Sequence, residues 1–386
     1  MTEAVLTRRE LNRATLARQL LLRRERLPVV AAIERLAGLQ AQEPAAPFVA
    51  LWSRVEGFDA AELRAAVEAG EIVKATLMRG TLHLVGAEDW AHLQPALAAG
   101  LARRARATPP EVLARVVEQV LEFVQEPRTQ KELREFVAAA GGNADDGQWW
   151  QTRGQMPLLY LPTGETWCFG LRPRIGAAPL GLRARLASPE AGAERLVRRH
   201  LAAFGPASVD DLHAWSRLPT PLLREALGRL GDEVEQLCDE DGRRLVDLRG
   251  APRPGDVPAP VRFLSMWDSA LLAFKDRSRL LDAEHYGTVV NKQSYCRSPR
   301  CPAPRAGSSR TRRAGSTPGS RRSIPRSSPA TRRSSRLLRR RRPARPSSAG
   351  RPSGSGRGSR SAPRRGRGSG AGTGRCRRPG GASGRG

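Results

Sequence analysis

The sequence has few cysteines and lacks any apolar run long enough to cross a membrane. Of its five cysteines, only Cys168 and Cys238 precede residue 296, and they lie far apart in no metal-ligand spacing. This usage favours a reducing compartment and argues against structural zinc. A membrane span would need ~20 consecutive apolar residues, and residues 1–4 lead into a charged helix rather than a signal peptide's apolar segment. We therefore expect a cytoplasmic protein outside the membrane.

Acidic residues are absent from the last part of the chain. Residues 296–386 hold 27 of the 66 Lys and Arg, all of them Arg, and none of the 38 Asp and Glu. Residues 1–295 therefore carry 39 basic and 38 acidic side chains, so the formal charge of +28 lies almost wholly in the tail. A strongly basic chain would normally suggest nucleic-acid binding, but here the average charge does not describe the globular part.

Motifs for several common kinds of site are also missing. The sequence has no metal-binding constellation, no P-loop and no glycine-rich dinucleotide fingerprint. We therefore expect neither a metal ion nor a cofactor.

The sequence does contain a repeated order of helices followed by short strands. In a first unit, residues 5–100, predicted helices open at Thr7, Pro28, Pro47 and Asp59; Thr7 with Glu10 forms a capping box. The pattern then changes to two strand-like runs, 72–78 and 81–85, joined by Arg79-Gly80. Helices followed by a β-hairpin form a winged helix, a variant of the helix-turn-helix.

Two further units repeat this order. Residues 193–250 have a helix over 193–204, a helix capped by Ser208, a helix with Pro221 in its first turn, and strands over 233–237 and 243–248. Residues 101–192 are predicted to contain helices over 110–125 and from Thr129, a hairpin of 158–161 with 166–169, and a linker over 171–192. After residue 250, the segments 261–264 and 271–274 have β-type character.

Four stretches of the sequence together resemble the bacterial winged-helix DNA glycosylases of the AlkZ/YcaQ type. They are Gly38-Leu39-Gln40-Ala41-Gln42, Met78-Arg79-Gly80-Thr81-Leu82-His83-Leu84, Ala203-Phe204-Gly205-Pro206-Ala207-Ser208, and Val261-Arg262-Phe263-Leu264 with Asp276-Arg277-Ser278. The resemblance covers about residues 5–290. It implies a mainly α fold with β wings (α+β): three tandem winged-helix units, then a β-barrel segment at 251–295.

The resemblance also implies the catalytic residues. The family's functional motif in AlkZ-like members is Gln-apolar-Gln, which Gln40-Ala41-Gln42 matches, whereas the Gln-x-Asp branch is not matched. Gln40 and Gln42 are thus the implied catalytic pair.

Candidate DNA contacts lie on the first wing and in a basic cluster. Arg79, Thr81 and His83 belong to the wing, although a solvated arginine and a half-buried histidine are an equally good interpretation. Arg103 and Arg104 suit phosphate contact, although we favour a solvated helix end for this cluster. For Asp268 we favour a structural ion pair.

The chain departs from the family pattern after Tyr295. The family continues with apolar strands that complete the barrel, whereas residues 296–386 consist mainly of Arg, Ser, Pro, Gly and Ala. Such a segment cannot bury enough apolar area to offset its ordering entropy, which predicts a disordered tail and an incomplete barrel. The tail is either a phosphate-binding arm or, as we prefer, the product of a frameshift in a GC-rich gene.

These features lead to one function and two alternatives. The resemblance implies a monofunctional DNA glycosylase that acts as a monomer on duplex DNA, releasing alkylated purines whose base already carries a positive charge before it leaves. The alternatives are a non-enzymatic winged-helix regulator and an inactive product of a frameshifted gene.

Overall fold

The structure is a computed structural model of the chain, and it describes residues 4–102, 109–145, 149–170 and 172–290. All of these residues belong to one compact body. Within them the helices are, in chain order, α1 (Arg8–Arg18), α2 (Val29–Arg35), α3 (Ala46–Arg54), α4 (Ala60–Glu68), α5 (Ala87–Ala102), α6 (Pro110–Phe123), α7 (Gln130–Ala139), α8 (Trp149–Gly154), α9 (Leu180–Arg183), α10 (Pro189–Phe204), α11 (Val209–Ser216), α12 (Thr220–Leu230), α13 (Ser269–Leu272) and α14 (Tyr286–Val289).

The strands in the same ranges are β1 (Val5–Leu6), β2 (Leu39–Gln40), β3 (Ile72–Thr76), β4 (Leu82–Gly86), β5 (Leu158–Tyr160), β6 (Ile175–Ala177), β7 (Val234–Asp239) and β8 (Arg244–Leu248). The fold is therefore α+β, as predicted. No helix in the described ranges has the length and apolar character needed to cross a bilayer.

The helix starts predicted from capping residues are confirmed. The Thr7 hydroxyl accepts the backbone N–H of Glu10, and the Glu10 carboxylate accepts the N–H of Thr7 at 2.8 Å. Thr129 and Ser208 cap α7 and α11 in the same reciprocal way. Each cap satisfies backbone donors that the first helical turn leaves without a partner.

The wing of the first unit forms the middle of a five-stranded antiparallel sheet in the order β2-β4-β3-β5-β6. Strands β3 and β4 pair across a short turn, Met78–Gly80. Strand β2 lies at one edge, with Leu39 opposite Leu84 and Gln40 opposite His83. The sheet thereby fixes the position of Gln40 beside the wing.

Gly38 allows β2 to lie this close to β4. Its φ of +85° is in the left-handed region that favours glycine, and a Cβ there would be 2.7 Å from Val85 Cγ1 and 3.1 Å from the Leu84 carbonyl oxygen. The first distance is one that real Cβ atoms essentially never show and the second is tighter than most, so glycine is favoured by conformation and by packing.

The hairpin predicted for the middle unit is wrong in its second strand. Strand β5 pairs with β6, in the register Tyr160 opposite Ile175, and the predicted strand 166–169 is a series of turns. Cys168 has φ of +66°, and its carbonyl accepts the Thr163 N–H at 2.8 Å, which closes a loop instead of a strand. The predicted linker over 171–192 therefore contains β6 and α9.

The third unit follows its predicted order of three helices and a hairpin, with α10 beginning at Pro189, four residues before the predicted start. Strand β1 adds to this hairpin, parallel to β7. A buried, bidentate ion pair joins α1 to β8, with Arg18 Nη1 and Nη2 at 2.6 and 2.7 Å from the Asp247 carboxylate. Thus the N-terminal residues pack on the third unit.

The incomplete β-barrel segment predicted at 251–295 is not found among the described residues. The described part, 251–290, contains no strand: residues 261–264 have no sheet partner, and the predicted strand 271–274 overlaps helix α13. Prolines at 252, 254, 258 and 260 remove backbone donors that a sheet would need. The predicted disordered tail, 296–386, lies outside the described residues.

Asp268 has the structural role that we favoured. Its carboxylate accepts the Ala270 N–H at 3.0 Å at the start of α13 and lies 2.7 Å from Arg54 Nη2, with both side chains buried. This pair attaches the segment after residue 250 to α3.

We expect Gly38→Ala to lower the free energy of unfolding by about 3 kcal/mol, because the new Cβ adds overpacking to the cost of a left-handed alanine. Gly57→Ala is the matched control: Gly57 has φ of +71°, and no atom lies within 4 Å of the position that its Cβ would take, so only about 1 kcal/mol is expected. Urea unfolding of both variants measures the difference, and equal losses would contradict the packing role of Gly38.

Candidate active site

Gln40 is a buried amide at the edge of the five-stranded sheet. Its side chain is 6% exposed, and its Oε1 accepts a hydrogen bond from Arg79 Nη2 at 2.6 Å. A charged donor at this distance makes a strong hydrogen bond. The orientation of the Gln40 amide is therefore fixed, with its carbonyl directed at Arg79 and its NH₂ group remaining as a donor.

Arg79 connects three parts of the protein. It has φ of +59° in the turn between β3 and β4, a conformation uncommon for a residue with a side chain and typical of functional sites. Its Nη2 also lies 3.4 Å from His83 Nε2, and its Nη1 donates to the Trp215 carbonyl of α11 at 3.4 Å. The first wing is thus attached to the third unit through the residue that holds Gln40.

His83 lies behind this pair and is completely buried. Its Nδ1 is 3.1 Å from the Thr81 carbonyl oxygen, which can only accept, so Nδ1 carries the proton and Nε2 is the acceptor facing Arg79. Burial, and then the nearby Arg79 cation, lower the pKa of His83 from 6.5 to about 3. The His83 ring is therefore neutral, and its Nε2 serves as a hydrogen-bond acceptor for Arg79.

Gln42 differs from Gln40 in being exposed. Its Oε1 is 3.5 Å from the Leu82 N–H, a long contact that leaves the carbonyl open to other donors. It lies at the edge of a cleft of about 430 Å³ lined by Gln42, Arg79, Gly80, Thr81, Leu82, Gln130, Trp149 and Arg153. This volume is in the range of small-molecule sites.

The middle unit supplies the opposite wall of the cleft. Arg153 on α8 is 9% exposed; its Nε donates to Thr76 Oγ1 at 2.9 Å and its Nη1 to Gln130 Oε1 at 3.0 Å. Its guanidinium also lies over the Tyr160 ring, 5.7 Å from the centroid. Arg153 is therefore held in place by both units.

The structure brings five of the seven predicted site residues together. Gln40, Gln42, Arg79, Thr81 and His83 lie on or beside the first wing. Thr81 is half-buried and its hydroxyl donates to the Met78 carbonyl at 3.1 Å, and His83 has no exposed surface with which to meet DNA. The other two, Arg103 and Arg104, lie outside the described residues.

Gln130 and Arg153 were missed by sequence reasoning, and the sequence favours a core position for Trp149 over a role as a base wedge. Nothing in the sequence links them to the first wing, because the two walls meet through sheet pairing of β3 with β5. Among the described residues no group of three His, Cys, Asp or Glu side chains is arranged to hold a metal ion. The cleft offers neutral amides and two guanidinium groups, which suit an acceptor-rich or anionic ligand such as nucleic acid.

The chain belongs to the family of AlkZ-like DNA glycosylases, whose sequence profile matches residues 33–295. The match includes the Gln-Ala-Gln motif, both walls of the cleft and the third unit. It ends immediately before the arginine-rich tail.

Two comparisons give matches from Streptomyces sahachiroi. An interstrand DNA cross-link repair glycosylase is 26% identical over 121 residues, which are 30% of this chain and only 32% of that protein. The solved structure of the DNA glycosylase AlkZ superposes with a TM-score of 0.63 at 21% identity, covering 76% of this chain and 84% of that one. The second likeness establishes the fold.

We expect burial of neutral His83 to make stability depend on pH. The unfolded chain binds a proton at His83 below pH 6.5, whereas the folded chain does so only near pH 3, so stability is complete above pH 6.5 and falls as the pH is lowered towards 3. At pH 5 this group accounts for a loss of about 2 kcal/mol.

Urea unfolding at pH 7 and pH 5 tests this. The pH-dependent loss should be about 2 kcal/mol smaller in His83→Gln, which keeps an acceptor for Arg79, than in the wild type. His92→Gln, on the partly exposed side of α5, serves as the control. An undiminished pH dependence in His83→Gln would show that the ring is not buried in its neutral form.

Proposed function

We propose that this protein is a monofunctional DNA glycosylase that hydrolyses the N-glycosidic bond of N7-alkylated purines in duplex DNA, as single adducts or crosslinks. The observation that carries the proposal is the pairing of two neutral amides with unequal surroundings, Gln40 held by Arg79 and Gln42 open to the cleft. Family membership supplies the reaction class.

A pair of amides is suited to a substrate whose base is already a good leaving group. An ordinary purine needs protonation or a nearby carboxylate to depart, whereas a purine alkylated at N7 carries a positive charge and leaves as a neutral molecule. The enzyme then has to position a water molecule and tolerate an oxocarbenium-like sugar in the transition state. Neutral side chains can do both.

The geometry favours different roles for the two glutamines. The Gln42 carbonyl has only a long contact with Leu82 and is the better acceptor for a hydrogen of the attacking water. The Gln40 carbonyl is bound to Arg79, so its NH₂ group is what it presents to a ligand. We assign water orientation to Gln42 and placement of the nucleotide to Gln40.

No group described at this site acts as a titrating acid or base near neutral pH. Glutamine does not ionise, Arg79 retains its proton, and the pKa of His83 is lowered to about 3. The proposed chemistry is therefore one of positioning, and the charge that drives bond cleavage comes from the substrate.

The proposed reaction also implies which molecule the protein binds and where in the cell it acts. Its substrate is double-stranded, alkylated DNA, bound by a monomer, since three chained DNA-binding units need no second copy to span a site. We expect it to act at the nucleoid in the cytoplasm and not at a membrane.

We expect Gln42→Ala and Gln40→Ala each to slow release of N7-methylguanine by about 100-fold or more, the usual cost of removing one positioned polar group. DNA affinity should change little, since phosphate contacts dominate binding. Single-turnover excision and a binding titration on the same duplex measure the two effects.

Gln236→Ala is the matched control, since Gln236 is exposed on β7 away from the cleft. It should excise at the wild-type rate. If all three variants excise equally fast, the glutamines are not catalytic; if the wild type shifts unmodified DNA sequence-selectively and releases no base, the protein is a regulator instead.

A further inference from the structure

The wall of the cleft contributed by the middle unit consists of hydrogen-bond donors. Trp149 lines the cleft and is 5% exposed, and its indole Nε1 has no hydrogen-bond partner among the described residues. A buried donor without a partner costs about 1–3 kcal/mol. A native site that retains one is suited to a ligand that supplies an acceptor.

Two neighbours of Trp149 add to this donor character. The Gln130 side-chain carbonyl accepts a hydrogen bond from Arg153 Nη1 at 3.0 Å. The polar group of Gln130 that remains for a ligand is therefore its NH₂ donor. Arg153 uses Nε and Nη1 for Thr76 and Gln130, and no described carboxylate lies within ion-pair distance of it. The wall therefore matches the acceptor edge of a ligand.

The cleft's position suggests which part of DNA meets this wall. Gln42, which we place against the attacking water, lines the same cleft. An enzyme that acts on the glycosidic bond must bring the sugar to its catalytic group, and extruded bases are read by hydrogen bonds and stacking in a pocket. The base attached to that sugar would extend towards Trp149.

We propose that Trp149, Gln130 and Arg153 form a base-recognition wall that binds O6 of an extruded N7-alkylguanine, an inference that rests on the proposed function. Alkylation removes N7 as an acceptor and leaves O6 as the acceptor on that edge. Adenine has an amino group at the same position, which would face a wall of donors. The wall thereby selects guanine lesions over adenine lesions.

Binding to hydrolysis-resistant duplexes tests the proposal independently of catalysis. Two duplexes carry a 2′-fluorinated nucleotide with either N7-methylguanine or N7-methyl-2-aminopurine, which differ at C6, where only guanine has an oxygen, and at N1, which carries a proton only in guanine. We expect the wild type to prefer the guanine duplex by about tenfold, the value of one good hydrogen bond.

Trp149→Phe keeps an aromatic side chain, although a smaller one, and removes the indole N–H donor, so the preference should fall to about threefold or less. Trp167→Phe is the matched control, because Trp167 is 43% exposed and packs edge-on against Phe48 outside the cleft; it should keep the full preference. Thermal unfolding of both variants checks the fold, and Arg153→Lys, which retains the charge, should also lower the preference.

Several outcomes would overturn the proposal. The O6 contact is ruled out if the wild type shows no preference for the guanine duplex, or if the Trp149→Phe variant retains that preference in full. Equal weakening of both duplexes and of unmodified DNA by Trp149→Phe and Arg153→Lys would show that the wall holds a backbone phosphate. Failure of the proposed function is distinguishable, because it appears as absent excision from a cleavable duplex while the binding preference persists.

Discussion

The hydrogen bond from Arg79 to Gln40 is the interaction on which the site depends. It fixes a buried amide at 2.6 Å, and it is made by an arginine whose backbone is left-handed in the turn of the wing. Neutral His83 and the Trp215 carbonyl provide further contacts of the guanidinium. One cation thereby orients the first glutamine and links it to the third unit, leaving Gln42 as the open amide.

The second constraint is the merging of two predicted wings into one sheet. Strand β2 carries Gln40 at one edge and β5 brings the middle unit to the other side of β3. This pairing brings the donor wall into the same cleft as Gln42, although Trp149 and Arg153 are far from Gln42 in sequence. Because two units form the cleft, residues of one unit can act on the glycosidic bond that breaks, and residues of the other can bind the base that leaves.

Local sequence signals predicted local structure well. The capping boxes at Thr7, Thr129 and Ser208 each begin a helix, because a cap depends on residues three apart. Predictions that depend on pairing between distant segments were less accurate. Strand β5 pairs with β6, which contains Ile175, and not with residues 166–169, because cross-strand register is set by the whole sheet. The glutamine motif was recognisable from the resemblance, but its Arg79 support and the Gln130–Arg153 wall arise only from tertiary contacts.

A double-mutant cycle on Gln40 and Arg79 tests the central claim most directly, with single-turnover excision of N7-methylguanine as the readout. If Arg79 acts by holding Gln40, Arg79→Ala slows excision and the double variant is no slower than Gln40→Ala, because the two side chains act as one unit. If the two losses instead multiply in the double variant, Arg79 acts independently of Gln40 and does not work by positioning it.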